Sequence, residues 1–274
     1  MPNNAQQQQT RQRRNIILGI TGSIAAVKGP ELALLLQTSL SANVIIVTTN
    51  TGQYFWDECS EQYNPTHFQN IKNKLILGKD ILLNVNGNAM DANTNNSVDR
   101  NSNAQQSFLT LLEQHTTTNN EIILFQSKDE WINYKSIGDP VLHILLRDWA
   151  DIALIAPLSA NTLSKISNGS CDDTLSCILR AWDFKNKPIY VAPAMNTGMW
   201  NHRITKEHLD KLASFFEYDN GDDKKDNCTS SSLFTIIYPQ GNKTLACGEV
   251  GTGAMADLHA IVESIKSYDI SRIK

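Results

Sequence analysis

Two side chains in the 274-residue chain carry groups that could move a proton on a bound substrate, His143 and Cys247. An imidazole is the side chain that titrates near neutrality, so His143 reads either as a base or as a surface or core residue without chemistry. Cys247 lies in LACGEVGTGAMAD, where glycines permit the backbone changes that loop closure requires. That segment is either a lid bearing a thiol acid or an ordinary surface loop. Four other clusters look suited to holding a polar ligand. Thr21-Gly22-Ser23-Ile24 makes a tight turn that opens a helix, which presents backbone N–H groups and a hydroxyl to an anion, normally phosphate. The same Gly-Ser pair could be steric punctuation alone. Ser159, Asn161 and Thr162 follow one apolar run, and Met195, Asn196 and Thr197 follow another. Thr48-Thr49-Asn50-Thr51-Gly52 follows a third and reads equally as part of a phosphate cradle or as a plain polar turn.

The elements that must carry these clusters can be read around Asp139–Asn201. Ile152–Ala156 and Pro188–Ala192 are apolar or β-branched throughout, which predicts strands buried on both faces, as in parallel sheets covered by helices. Between them Leu175, Ile178, Leu179 and Trp182 fall on one helical stripe, so the unit is a right-handed βαβ crossover. Asn15–Ile20, Val44–Val47, Glu121–Phe125 and Leu233–Tyr238 predict further strands. A helix is expected from about Pro140 with Leu142, Leu145, Leu146 and Trp149 turned inward, another through Leu32–Leu40 beyond Gly29-Pro30, and a closing one over 259–269. The fold class is α/β, a three-layer Rossmann-like (flavodoxin-like) fold with a mainly parallel sheet of about six strands. In such open sheets ligands sit beyond the carboxyl ends of the strands, where every cluster above is placed.

Composition bounds the rest. Residues 1–14 are polar and low in complexity and predict a disordered tail, leaving 15–269 as a single domain. From about 60 to 120 the chain is rich in Asn, Gln, Ser and Thr, most strongly across 84–107. This predicts a low-complexity insertion flanked by short helices at Lys74–Leu83 and Phe108–Leu112. A formal charge of −4 argues against a nucleic-acid surface. No apolar run approaches the ~20 residues of a membrane span. The five cysteines, Cys59, Cys171, Cys177, Cys228 and Cys247, have no regular spacing and no C-x-x-C pair. Reduced thiols in the cytoplasm and no metal site are therefore expected. The turn after Asn15–Ile20 is not G-x-G-x-x-G, which removes a nicotinamide dehydrogenase from consideration.

The blocks TGSIAAVK, GDPVLHILLRDWADIALIAPLSANTLSKISNGSCDDTLSCILRAW, PIYVAPAMNTGMWN and LACGEVGTGAMAD together resemble the flavin-dependent cysteine decarboxylases. The resemblance is to their phosphopantothenoylcysteine decarboxylase branch, with its fungal halotolerance-protein relatives. It implies FMN as cofactor, with Gly22, Ser23 and Ile24 at its phosphate, Ser159, Ala160, Asn161 and Thr162 as a second contact, and Ala194 lining the flavin. Thr49 and Thr51 match a third contact, with the register of Thr48–Thr51 open by one residue. His143 would be the base, Asn196 would hold the substrate carboxylate, and Cys247 would be the proton donor. Met195, Ala246 and Gly248 would flank the substrate. Glu249 stands where the family usually has Asp. The implied reaction is decarboxylation of 4'-phosphopantothenoylcysteine to 4'-phosphopantetheine in coenzyme A biosynthesis, through thiol oxidation, CO₂ loss and reduction of the enethiol. The resemblance also implies a homotrimer, or a heterotrimer with similar chains, whose sites lie between subunits. The competing reading is a non-catalytic subunit of a heteromeric decarboxylase, or a regulatory protein that inhibits a protein phosphatase. Such relatives commonly carry an acidic C-terminal tail; this sequence ends at SRIK and has His143, Asn196 and Cys247, which favours the enzyme.

Overall fold

The structure, a computed structural model, describes residues 13–89, 97–132, 134–137, 139–216, 233–241, 243–244 and 250–268. In chain order the elements are β1 (Asn15–Ile20), a 3-10 turn (Ile24–Lys28), α1 (Gly29–Leu40), β2 (Asn43–Thr48), α2 (Asn50–Tyr63), α3 (Pro65–Lys72), β3 (Leu75–Leu77), α4 (Gly78–Ala89) and α5 (Ser97–Glu113). A π-helical turn (Gln114–Thr118), β4 (Ile122–Gln126), a 3-10 turn (Ser127–Trp131), α6 (Leu142–Trp149), β5 (Ile152–Leu158), α7 (Ala160–Asn168) and α8 (Thr174–Arg180) follow. The chain continues with β6 (Ile189–Pro193), α9 (Thr197–Trp200), α10 (Arg203–Ser214), β7 (Phe234–Ile236), the short strands β8 (Lys243–Thr244) and β9 (Val250–Gly251), and α11 (Leu258–Lys266).

β1 to β7 form one sheet in the order β3-β4-β2-β1-β5-β6-β7, and every pairing in it is parallel. Alternation along the strands splits the core in two. Ile16, Leu18 and Ile20 face a layer made by α1, α2, α3 and α11, where Leu32, Leu36, Trp56, Phe68 and Ile261 are buried. Ile17, Ile45, Phe125 and Ile155 face the opposite layer, made by α4, α5, α6, α7, α8 and α10. Both faces being covered is why these strands are apolar throughout. The inward stripes of α6 and α8 are buried as their spacing requires. α6 begins at Leu142 rather than Pro140, because Val141 is still extended.

The sheet has one strand more than composition suggested. β3 is short and lies in the stretch read as a low-complexity insertion at about 60–120. That stretch also supplies α3, α4 and α5, and Phe68, Ile71, Ile81, Leu82, Phe108 and Leu112 are all buried. The helices expected at Lys74–Leu83 and Phe108–Leu112 overlap α4 and α5, whereas averaged composition hid α3 and β3. Sparse apolar residues at helical spacing suffice to anchor a helix whose other face is Asn- and Gln-rich. Residues 90–96 lie outside the described residues. At the N-terminus, residues 1–12 of the polar tail are likewise outside them, but Arg13 and Arg14 belong to the fold. The Arg14 guanidinium donates to the carbonyls of Ile265 and Tyr268, each at 2.7 Å, capping the last turn of α11. Among the described residues no helix is long and apolar enough to cross a membrane.

Candidate active site

Strand order reverses beside β1: the first half of the chain lays β2, β4 and β3 on one side of it, β4 filling the place between β2 and the edge strand β3, and the second half lays β5, β6 and β7 on the other side. That reversal opens a crevice at the carboxyl ends of neighbouring strands. Three helical segments start there, the 3-10 turn after β1, α2 after β2 and α7 after β5, so their unpaired first N–H groups converge on one edge.

The loops are tied together by Thr21, whose importance no sequence pattern signalled. Its buried hydroxyl donates to the Pro157 carbonyl at 2.7 Å and accepts from the Ser159 N–H at 2.8 Å, joining the β1 and β5 loops. On the other side, a Cβ on Gly22 would lie 2.8 Å from the Thr51 Cβ. Any side chain at 22 would therefore separate the β1 and β2 loops and fill the cradle between them. Ser23 caps the 3-10 turn, accepting from the Ala25 N–H at 3.4 Å, and Ile24 is 48% exposed beside it.

Several hydroxyls expected to face a ligand are used internally. Ser159 accepts from the Thr162 N–H at 3.2 Å and donates to the Thr162 hydroxyl at 3.2 Å, and both residues are buried. Ser159 caps α7, and Asn161, which is exposed, is the side chain of that loop available to a ligand. Thr49 is buried and caps α2 through the Gly52 N–H at 3.2 Å, and Thr48 is buried against Gln53 and Phe125. Thr51 is exposed, and of the three threonines it is the one whose side chain is open to a ligand. The donor set therefore fits a phosphorylated planar cofactor. Helix-start N–H groups, Ser23, Thr51 and Asn161 offer partners for phosphate and polar edges, and Ile24 offers an apolar surface.

The β6 end adjoins this cluster, with the Ala194 N–H donating to the Leu158 carbonyl at 3.0 Å. Ala194 and Met195 are buried, so neither presents an exposed side chain. Asn196 is exposed and caps α9, its Oδ1 accepting from the Met199 N–H at 2.9 Å. Its amide NH₂ has no acceptor among the described residues and is free to donate to an oxygen ligand. The chain after the β8–β9 hairpin packs on this loop. Gly253 accepts from the Met195 N–H at 3.0 Å and has φ of +120°, with a virtual Cβ 2.4 Å from the Met195 carbonyl, so only glycine fits. Ala246, Cys247 and Gly248 lie outside the described residues.

His143 stands in the first turn of α6, on the layer of α5 and α8. Its Nδ1 is 2.6 Å from Oε1 of Glu130, in the 3-10 turn after β4. No hydrogen bond joins it to the cluster around Gly22, Thr51 and Asn161 among the described residues. Glu130 and its neighbour Asp129 are both buried, and both were passed over in the sequence. The only signal was a pair of acids in a connecting segment shortly before His143. Burial raises the Asp129 carboxyl above its ordinary range, against the lowering effect of the Gln126 N–H it accepts. Cys177, also near Glu130, is pushed up to about 11 by burial first and then by Cys171 and Glu130, so it remains a thiol. Among the described residues no group of His, Cys, Asp and Glu could hold a metal.

Comparison with known proteins adds an independent line. The family model described as Flavoprotein matches residues 4–268. Phosphopantothenoylcysteine decarboxylase of Mus musculus is 31% identical over 252 residues, 92% of this chain and 85% of the mouse protein. The enzyme of the same name from Arabidopsis thaliana is 46% identical over 148 residues, 54% of this chain; that match spans only 62% of the plant protein's length. Among solved structures, a PPC decarboxylase mutant complexed with pantothenoylaminoethenethiol superposes with a TM-score of 0.61 at 32% identity. The superposition covers 93% of this chain and 97% of that one. The FMN binding protein AtHal3 superposes with a TM-score of 0.59 at 32% identity, covering 93% and 96%.

Proposed function

Because the chain belongs to the Flavoprotein family, we propose that it binds FMN and decarboxylates 4'-phosphopantothenoylcysteine to 4'-phosphopantetheine, a step of coenzyme A biosynthesis, in the cytoplasm. The observation that carries this reading is the convergence of Gly22, Ser23, Ile24, Thr51 and Asn161 at the strand ends beside β1, next to the exposed Asn196 amide. The names of the similar proteins support it, one as a phosphopantothenoylcysteine decarboxylase and another as FMN-binding.

A plain amino-acid carboxylate has no electron sink, so losing CO₂ would leave an unstabilised carbanion. Bound FMN supplies the missing chemistry by accepting and returning electrons at the substrate thiol. The chain's own residues do the rest. The Asn196 NH₂ donates to the substrate carboxylate and orients it without the full positive charge that would stabilise it against departure. His143 accepts a proton early in the reaction, and Cys247 gives one back to the product carbon. Because His143 is engaged with Glu130 and not with the FMN-side loops, the reading includes a trimer in which a neighbouring copy, identical or similar, completes each site.

Cofactor identity tests the first half of this reading. Purified protein is expected to be yellow and to release FMN, not FAD, on heating, as judged by chromatography of the supernatant. A colourless chain that fails to take up added FMN would overturn it.

A further inference from the structure

Glu130 is an unusual place for a carboxylate. The residue is 6% exposed, and it lines a small pocket with Leu82, Phe108, Pro140, Leu142, Leu145 and Asp129. Its Oε1 meets the His143 Nδ1 at 2.6 Å, and its Oε2 is buried with no partner among the described residues. Burying a carboxylate costs free energy unless a charge or a donor meets it, and here the imidazole is the group that does. The segment that holds it is tied down at its start. Asp129 accepts from the Gln126 N–H at 2.8 Å in a capping box, and the Thr174 hydroxyl of α8 donates to the Ser127 carbonyl at 3.2 Å. The acid is thus presented to His143 by a braced turn rather than by a free loop.

We propose that Glu130 is the positioning residue for His143: it accepts the Nδ1–H, fixes that tautomer, and leaves Nε2 as the nitrogen that receives the proton. An ionised carboxylate can only accept, so the short contact requires the hydrogen on Nδ1. The remaining lone pair is then on Nε2, on the side of the ring away from Glu130. When Nε2 gains a proton the imidazolium faces a buried negative charge, which stabilises it as it forms; the carboxylate of a serine hydrolase triad acts on its histidine in the same way. The inference rests on His143 being the base of the proposed decarboxylation.

The test reads the tautomer directly. ¹⁵N-histidine spectra of the FMN-loaded full chain are recorded at alkaline pH, where imidazoles are neutral, with His143 assigned from its loss in His143→Asn. Wild type is expected to show a protonated Nδ1 and an unprotonated Nε2. Glu130→Gln, whose amide can also donate, should mix the two tautomers and lower kcat about 100-fold at unchanged KM. Glu130→Asp, which keeps the charge, should recover part of both. An Nε2–H tautomer in an active wild type overturns the inference alone, as does Glu130→Gln with unchanged tautomer and kcat. An inert, FMN-loaded wild type with the Nδ1–H tautomer overturns the decarboxylase reading instead. Should Glu130→Gln not fold, the wild-type tautomer still decides.

Discussion

Replacing Asn196 with aspartate is expected to lower kcat/KM for decarboxylation by about 10³-fold while leaving the melting temperature unchanged. The fold should not notice the change, because aspartate caps a helix as well as asparagine and can accept from the Met199 N–H in the same way. The substrate should. Its carboxylate would lose the NH₂ donor and meet a second carboxylate at about 4 Å. At an effective dielectric near 20 that repulsion is on the order of 4 kcal/mol, which is about three decades in rate. Steady-state kinetics beside a thermal melt check both halves. A variant that keeps wild-type kcat/KM would remove Asn196 from substrate binding.

The second large effect is expected from His143→Asn. The Asn amide can still reach toward Glu130 from nearly the Nδ1 position, so the buried carboxylate keeps a donor. What disappears is Nε2. Loss of a general base costs typically 10²- to 10⁴-fold, so CO₂ release should fall by that factor while FMN content stays at the wild-type level. Normal FMN with normal turnover would show that His143 is not the base. Loss of FMN as well would mean that α6 supports the cofactor loops and not only the chemistry.

Most of the sheet is legible in the sequence because burial on both faces leaves a strong signature. Asn15–Ile20 is bounded as its composition implies, and Ile152–Leu158 extends the apolar run by two residues through Pro157. The stripes of α6 and α8 follow from helical spacing alone. β3 was hidden for the opposite reason: Leu75–Leu77 is brief, half-buried and set in polar surroundings. At the site, residue types identified the right loops but not the direction of each side chain. Ser159 and Thr49 look like ligand-binding hydroxyls, yet each accepts a helix-start N–H, and the Thr162 hydroxyl accepts from Ser159; capping and ligand binding select the same residues. Thr21 shows in the sequence only as part of its turn and Glu130 only as one of a pair of acids, and the role of neither can be read there. Each acts through a contact that exists only after β1, β4, β5 and α6 have assembled, and neither carries a periodicity of its own.

CO₂ release by the FMN-loaded chain, supplied with 4'-phosphopantothenoylcysteine and no external electron donor, bears most directly on the proposed decarboxylase. Many equivalents of CO₂ per chain are expected, each matched by one 4'-phosphopantetheine, because electrons taken from the substrate thiol return to the same molecule. No CO₂ from a chain that is folded and fully loaded with FMN would contradict it.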